Sequence, residues 1–288
     1  MIVSQLRISR RTIAIAAALV GTVSLAIGAH AALNMRPLEA AKAVETEQAG
    51  QAAKKGARLA LIIGNGHYPD ASEALGQPIN DARSLSGALR RDGFDVDVVE
   101  DATKDDMARA IERLKGKIGQ DSVVMLFFGG YAAQSGRQSY MIPVDATIWR
   151  ESDVRREGVS VESVLDMMKE QGAKAKLAVI DASRRNPYER RFRSFSHGLS
   201  PIAAPDNALI LTSATPGKVA DDGDGQNSAL VAELLRNLDV GSVGAEAAFN
   251  KTRVAISRAS DGEQVPTVSS SLLEDIRLGE IETESAGG

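Results

Sequence analysis

Ser183 stands directly behind an apolar run and an acid, in "KLAVIDASRRNPY", residues 176–188. A hydroxyl set where a buried strand ends, ahead of the Asn186-Pro187 turn, is placed as a nucleophile would be. Acyl transfer from serine needs a base to take its proton, and bases are scarce in this chain. It has three histidines, His30, His67 and His197, and no cysteine. The lack of cysteine excludes disulfides, thiolate metal sites and a cysteine nucleophile. His67 follows the first apolar run, "RLALIIGNG", and stands as the one alternative base; an exposed loop histidine is the plainer reading. His197 lies in the basic stretch "ERRFRSFSHGLS" with Arg190, Arg191 and Arg193, which reads as a solvated loop.

Two other motifs invite ligands and do not hold up. "GNG", residues 64–66, lacks the third glycine and the later acid of a dinucleotide fingerprint, so it reads as a tight turn. In "DDGDGQNS", Asp222 and Asp224 are spaced like calcium ligands, but Asn227 stands where a calcium loop requires glycine. An acidic turn before a helix N-cap is the better reading. No cofactor and no metal are expected.

The elements that must hold these residues alternate along the chain. Short apolar runs at "RLALIIG", "SVVMLFFGG", "KLAVID" and "NALILTSA" read as buried strands, and "FDVDVVED" as an alternating one. Between them, "PINDARSLSGALRRDGF" carries Ile79, Ala82, Leu85 and Leu89 at helical spacing and closes at Gly93. "TKDDMARAIERLKGKIG" opens on Thr103 as N-cap with Asp106 three residues on, and its stripe is Met107, Ile111, Leu114 and Ile118. "SYMIPVDA" reads as a short strand, and "SVESVLDMMKEQG", "NSALVAELLRNL" and "VGAEAAFNKTRVAISRAS" as helices whose apolar positions belong to the core. Alternation of this kind predicts an α/β fold, an open and mostly parallel sheet covered on both faces. Ligands then bind beyond the carboxyl ends of the strands, at the loops after residues 63, 128, 181 and 213.

The 288 residues carry a net charge of −4, which gives no electrostatic footprint for nucleic acid. At the N-terminus, Arg7, Arg10 and Arg11 precede the weakly apolar stretch Thr12–Gly28 and the small-x-small site Ala29-His30-Ala31. Residues 1–31 therefore read as an export signal or a membrane anchor. Basic residues ahead of the span put the body outside the cytoplasm, periplasmic or held at the inner membrane. Residues 32–57, rich in Ala, Glu, Gln and Lys, read as a spacer.

The ordered blocks of the body resemble the caspase fold, and in particular the bacterial metacaspase-like peptidases. "RLALIIGNGHYPD" is similar to their first strand and loop, and "PINDARSLSGALRRDGFDV" to their "NDA" helix and second strand. "LFFGGYAAQSGRQSYMIPVDA" resembles the block that carries their catalytic histidine, and "LAVIDASRRNPY" the block that carries their catalytic cysteine. "GLSPIAAPDNALILTSATPGKVADDGDGQNSALVAELL" is similar to their small-subunit half and "EQVPTVSSSL" to its closing segment. The resemblance covers residues 58–279, divided into a large-subunit-like part 58–188, a basic linker 189–200 and a small-subunit-like part 201–279, with 280–288 as a tail. It implies a three-layer α/β sandwich around a mostly parallel sheet of about six strands.

The same resemblance implies a missing dyad. Tyr131 stands where the family has its histidine, in Gly130-Tyr131-Ala132, and Ser183 where it has its cysteine. Tyrosine, with a pKa of about 10, is a poor base near neutrality, and a missing general base costs about 10²–10⁴-fold. The family's preference for Arg or Lys would be served by Asp81 in "NDA" and Asp181 in "DAS", whose two carboxylates could grip a guanidinium. The plainer reading makes Asp81 a helix-start acid and Asp181 a strand-end acid satisfied by backbone N–H groups. Ser213 matches the segment that pairs with substrate backbone. The expectation is a cell-envelope pseudo-peptidase that binds a protein or peptide with basic residues and no nucleic acid. The alternatives are a residual hydrolase using Ser183 with a base such as His67, or an inert scaffold.

Overall fold

The computed structural model describes residues 56–69, 74–182, 199, 202–215, 218, 220, 225–238 and 243–278. Ser183, His197, the basic linker but for Leu199, Asp222, Asp224 and residues 1–55 of the N-terminal segment and spacer lie outside the described residues.

A six-stranded sheet carries the fold. Its strands are β1 (Arg58–Gly64), β2 (Asp95–Glu100), β3 (Val123–Gly129), β7 (Ala175–Asp181), β8 (Ala208–Thr212) and β9 (Thr267–Ser270), in the spatial order β2-β1-β3-β7-β8-β9. Every pairing is parallel except β8 with β9, which is antiparallel. The central strands are buried on both faces, which is why they read as unbroken apolar runs. The register puts Gly64, Gly129 and Asp181 level with one another at the carboxyl ends of β1, β3 and β7.

Helices cover both faces. On one face α2 (Lys104–Lys117) and α4 (Val161–Glu170) pack on Leu61, Ile63, Leu126, Phe128 and Ile180. On the other, α1 (Pro78–Arg91), α5 (Ala229–Leu238) and α6 (Ala245–Ala259) pack on Ile62, Met125, Phe127, Val179 and Leu211. Adjacent strand residues point to opposite faces, so Phe127 and Phe128 serve opposite layers. Each such fully buried side chain contributes about 1.5–3 kcal/mol of transfer free energy. The expected three-layer sandwich is the observed one. Thr103 and Asp106 make the capping box that opens α2, and Gly93, at φ +79°, turns the chain after α1.

Two features differ from the sequence expectation. The strand through "LFFGGYAAQ" does not simply end: it turns at Gly129-Gly130 and resumes as β4 (Ala132–Ser135), which pairs antiparallel with β5 (Gln138–Met141). With β6 (Val159–Ser160) these form a second, three-stranded sheet, order β4-β5-β6. A short helix, α3 (Glu151–Glu157), joins β5 to β6. This small sheet has its own core of Tyr68, Ala133, Tyr140, Ile142, Ile148 and Val154. β4 is made of small and polar residues, Ala-Ala-Gln-Ser, so its pattern gives no strand signal.

Candidate functional site

The carboxyl ends of β1 and β3 are shaped by glycine. A Cβ on Gly64 would lie 2.4 Å from the Pro78 carbonyl oxygen and 2.8 Å from Ala82 Cβ. The first turn of α1 therefore rests on bare backbone. Pro78 Cβ lies 3.3 Å from where a side chain on Gly129 would begin. This close seating carries Asp81, in the first turn of α1, toward the end of β7. Asp181 lies on the same face, since Val179, two residues earlier, packs in the α1–α5–α6 layer.

Asp81 is 0% exposed and Asp181 2%. Burial, then the nearby charge of Asp181, pushes the Asp81 carboxyl from an ordinary 3.8 up to about 7. Hydrogen bonds from the Asn227 side chain, at 2.8 Å, and the Ser228 backbone N–H, at 3.0 Å, work the other way. Both donate to Oδ1. The other oxygen of Asp81, Oδ2, is buried and makes no hydrogen bond among the described residues. A buried carboxylate left with an unmatched oxygen beside a second acid is costly unless a proton or a cation completes it.

Tyr131 follows directly on this pair. The Gly130 N–H donates to the Asp181 carbonyl at 3.3 Å, tying the turn after β3 to the end of β7. The Tyr131 N–H donates to Tyr68 Oη at 3.0 Å, and that hydroxyl donates to the Ile142 carbonyl at 3.0 Å. The two rings meet edge to face, centroids 4.8 Å apart. Gly130 has no room for a side chain, because a Cβ there would lie 2.5 Å from Tyr68 Oη. Half-buried Tyr131 packs against the small-sheet core.

His67 faces elsewhere. Its Nδ1 lies 2.6 Å from Asp101 Oδ2, at the end of β2, and its side chain is 71% exposed. Asp101 sits at φ +47° and also accepts the Gly66 and His67 backbone N–H groups at 2.9 Å each. Burial works against its ionisation, but those backbone bonds and His67 outweigh it and hold Asp101 below the usual carboxylate range. The strand order puts β3 between this pair and β7, and Asp101 draws the imidazole toward β2, away from Asp181. Beside it, Asn65 staples three segments: its Oδ1 accepts the Ala102 N–H at 2.8 Å and its Nδ2 donates to the Ile142 carbonyl at 3.2 Å.

Ser213 is buried, and the fold uses its backbone. Its N–H donates to the Ile180 carbonyl at 3.2 Å and its carbonyl accepts from Gln264 Nε2 at 2.9 Å. Of the sequence-predicted residues, Asp81, Asp181 and Tyr131 thus come together at one corner of the sheet, and His67 does not join them. The sequence reading weighed Asn227 only against a calcium loop and missed its bond to Asp81, as it missed Ser228 and Tyr68. Asn227 lies 146 positions from its carboxylate partner, and no local pattern announces a contact of that range.

The family model for the caspase domain matches residues 57–277. The chain belongs to the caspase-domain family. Among solved structures it is similar to caspase-1 from Spodoptera frugiperda, at 15% identity and a TM-score of 0.57, covering 80% of this chain and 92% of that one. That likeness bears on the caspase fold. Among curated proteins it is similar to the mucosa-associated lymphoid tissue lymphoma translocation protein 1 of Homo sapiens, 28% identical over 134 residues, and to its homolog in Mus musculus, 29% identical over 145. Those matches span 46% and 50% of this chain but only 16% and 17% of the relatives' lengths. The ordered blocks of the sequence therefore mark a caspase-fold, metacaspase-like chain. In this caspase domain the acid pair and Tyr131 sit where parallel α/β sheets place ligands.

Proposed function

We propose that this caspase-domain chain is a binding protein of the cell envelope, a pseudo-peptidase whose acidic cleft takes an Arg or Lys side chain from a protein partner. The observation that carries the reading is Asp81: buried, beside Asp181, with one oxygen unmatched among the described residues. A guanidinium or ammonium supplies a positive charge beside the two acids and a donor for Asp81 Oδ2. The chain has no cysteine, and Tyr131, at the position of the family's histidine, is a poor base for a serine hydroxyl near neutrality. The export-type N-terminus supports placement outside the cytoplasm, and the net charge of −4 suits a basic partner better than nucleic acid.

Peptides carrying a single arginine, titrated against the purified protein, test the cleft. Affinity is expected to fall at least tenfold in Asp81→Ala and in Asp181→Ala; equal affinity in all three proteins leaves the inert scaffold standing. A serine-reactive phosphonate tests the chemistry. Ser183 is expected to stay unlabelled, and labelling that disappears in Ser183→Ala sinks the pseudo-peptidase reading. Among the described residues the His67–Asp101 pair is the feature that favours a hydrolase, since a carboxylate-held imidazole is half of a serine triad. Its position across β3 from β7 argues against that use.

A further inference from the structure

The acid pair is closed by the other half of the chain. Residues 225–228 lie along the first turns of α1 as a strap. Gln77 Nε2 donates to the Gly225 carbonyl at 3.0 Å and Asn80 Nδ2 to the Gln226 carbonyl at 3.3 Å. Asn227 Nδ2 donates to Asp81 Oδ1 at 2.8 Å and to Ser84 Oγ at 3.2 Å, and the Ser228 N–H reaches the same Oδ1 at 3.0 Å. Ser228 then starts α5, its Oγ accepting the Val231 N–H at 3.1 Å. Two donors from the strap thus commit one oxygen of Asp81. The other, equally buried, stays unmatched among the described residues.

We infer that Asn227 is a positioning residue of the cation site: it fixes Asp81 so that Oδ2 is the atom offered to a basic side chain, and it sets the pH above which the site accepts one. The inference rests on the acidic-cleft reading given above. Its geometry has a simple logic. A carboxylate free to rotate could satisfy either oxygen, whereas one pinned through Oδ1 presents Oδ2 in a single direction. The pinning bonds are also charge-assisted, so they favour the ionised form.

The groups facing Asp81 set the sign of the pH effect. From β7 comes Asp181, which resists ionisation of its neighbour. From the strap come Asn227 and Ser228, which favour it. β1 and β3 present Gly64 and Gly129 at that level, with nothing to titrate. Of the charged groups on α1 and β2, Arg83 and Glu100 pair with each other at 2.6 Å, and on α5 Glu233 and Arg236 do so at 3.3 Å. With the Asp81 pKa at about 7, the carboxyl carries a proton at lower pH and presents an O–H where the ligand would present N–H. Binding of a cation then expels that proton, so affinity rises with pH up to and through neutrality and levels off above. Removing the Asn227 donor shifts the balance toward the protonated acid.

The experiment is isothermal titration of the full chain with an arginine-containing peptide between pH 5.5 and 8.5, in buffers of different ionisation enthalpy. The wild-type protein is expected to release about one proton on binding at pH 6 and to gain affinity as pH rises through about 7. In Asn227→Ala the midpoint is expected to move up by about one pH unit, so affinity at pH 7 falls about fivefold and recovers by pH 8.5. Asn227→Ser, which keeps a shorter donor, should lie between the two and serves if the alanine variant does not fold. Asn80→Ala removes a strap bond without touching Asp81 and should leave the midpoint in place. A loss of affinity by the same factor at every pH would mean Asn227 is merely structural and overturns the inference. Carbon-13 NMR of the aspartate carboxyls in the peptide-free protein separates the two claims. If the Asp81 midpoint is unmoved in Asn227→Ala, the positioning role fails whatever the peptide does. If it moves but the wild-type protein binds no arginine peptide at any pH, the acidic-cleft reading is what fails.

Discussion

Asp81 is a residue whose ionisation the fold opposes. Its pKa lies at about 7 in the folded protein against an ordinary 3.8, so the folded state holds a proton that the unfolded chain has lost over that interval. The sign follows: its contribution to stability is complete below the ordinary value and is lost as pH rises toward 7. A shift of about three units corresponds to about 4 kcal/mol of differential stability, an upper figure because water and side-chain relaxation soften it. Asp81→Asn keeps an oxygen for Asn227 and Ser228 and puts an amide donor next to Asp181. Urea unfolding should find this variant more stable than wild type at pH 8, by about 2–4 kcal/mol, and nearly equal at pH 4. A variant less stable at pH 8 would mean that the carboxylate, not the proton, is what the site is built to hold. A stabilised variant that no longer binds arginine would be the expected exchange of stability for function.

At the scale of the elements, the glycines at the strand ends decide whether α1 can deliver that acid. Gly64→Ala forces a methyl to 2.4 Å from the Pro78 carbonyl oxygen, and rigid backbone cannot yield as a side-chain tip can. The helix must lift from β1, carrying Asp81 with it. A loss of about 2 kcal/mol is expected, a fall in the thermal midpoint of about 4–8 °C, together with weaker arginine binding. Gly130→Ala, whose Cβ would lie 2.5 Å from Tyr68 Oη, should disturb Tyr131 instead and show first in the near-ultraviolet circular dichroism of the tyrosines. How much of this is legible in the sequence depends on the range of the contact. The strand–helix alternation is, because buried parallel strands are apolar throughout and the α1 and α2 stripes repeat at helical spacing. The Thr103–Asp106 capping box is legible for the same reason, since its two partners are three residues apart. The second sheet is not, because "AAQS" pairs by backbone and carries no pattern of its own. Asp81 and Asp181 are legible as residues through resemblance alone, and their convergence is not, because it depends on a parallel register and on the seating of α1 against Gly64 and Gly129.

At the scale of the whole molecule, the corner that holds the acid pair is assembled from both halves of the caspase domain. α1 and β7 come from the first half, and the 225–228 strap and α5 from the second. The turn after β3, tied to β7 by the Gly130 N–H, is held as well by Tyr68, Asn65 and the small sheet. The hydrogen bonds that hold the turn run through the backbone N–H of Tyr131 and the carbonyl of Ile142, so they survive a change of side chain at 131, which gives up the ring contact with Tyr68. This leads to a test of whether only the reacting groups are absent. Tyr131→His combined with Ser183→Cys supplies a thiol with a pKa near 8.5 and an imidazole near 6.5, the pairing that a serine and a tyrosine cannot provide. If the acid cleft is a working cation site, the double variant should cleave reporter peptides after arginine, while each single variant stays lower by about 10²–10⁴-fold, because nucleophile and base act as a unit. Adding Asp81→Ala to the double variant should abolish the arginine preference. A folded double variant with wild-type arginine affinity and no cleavage would place the loss of chemistry beyond the two exchanged side chains, in the geometry of the corner itself.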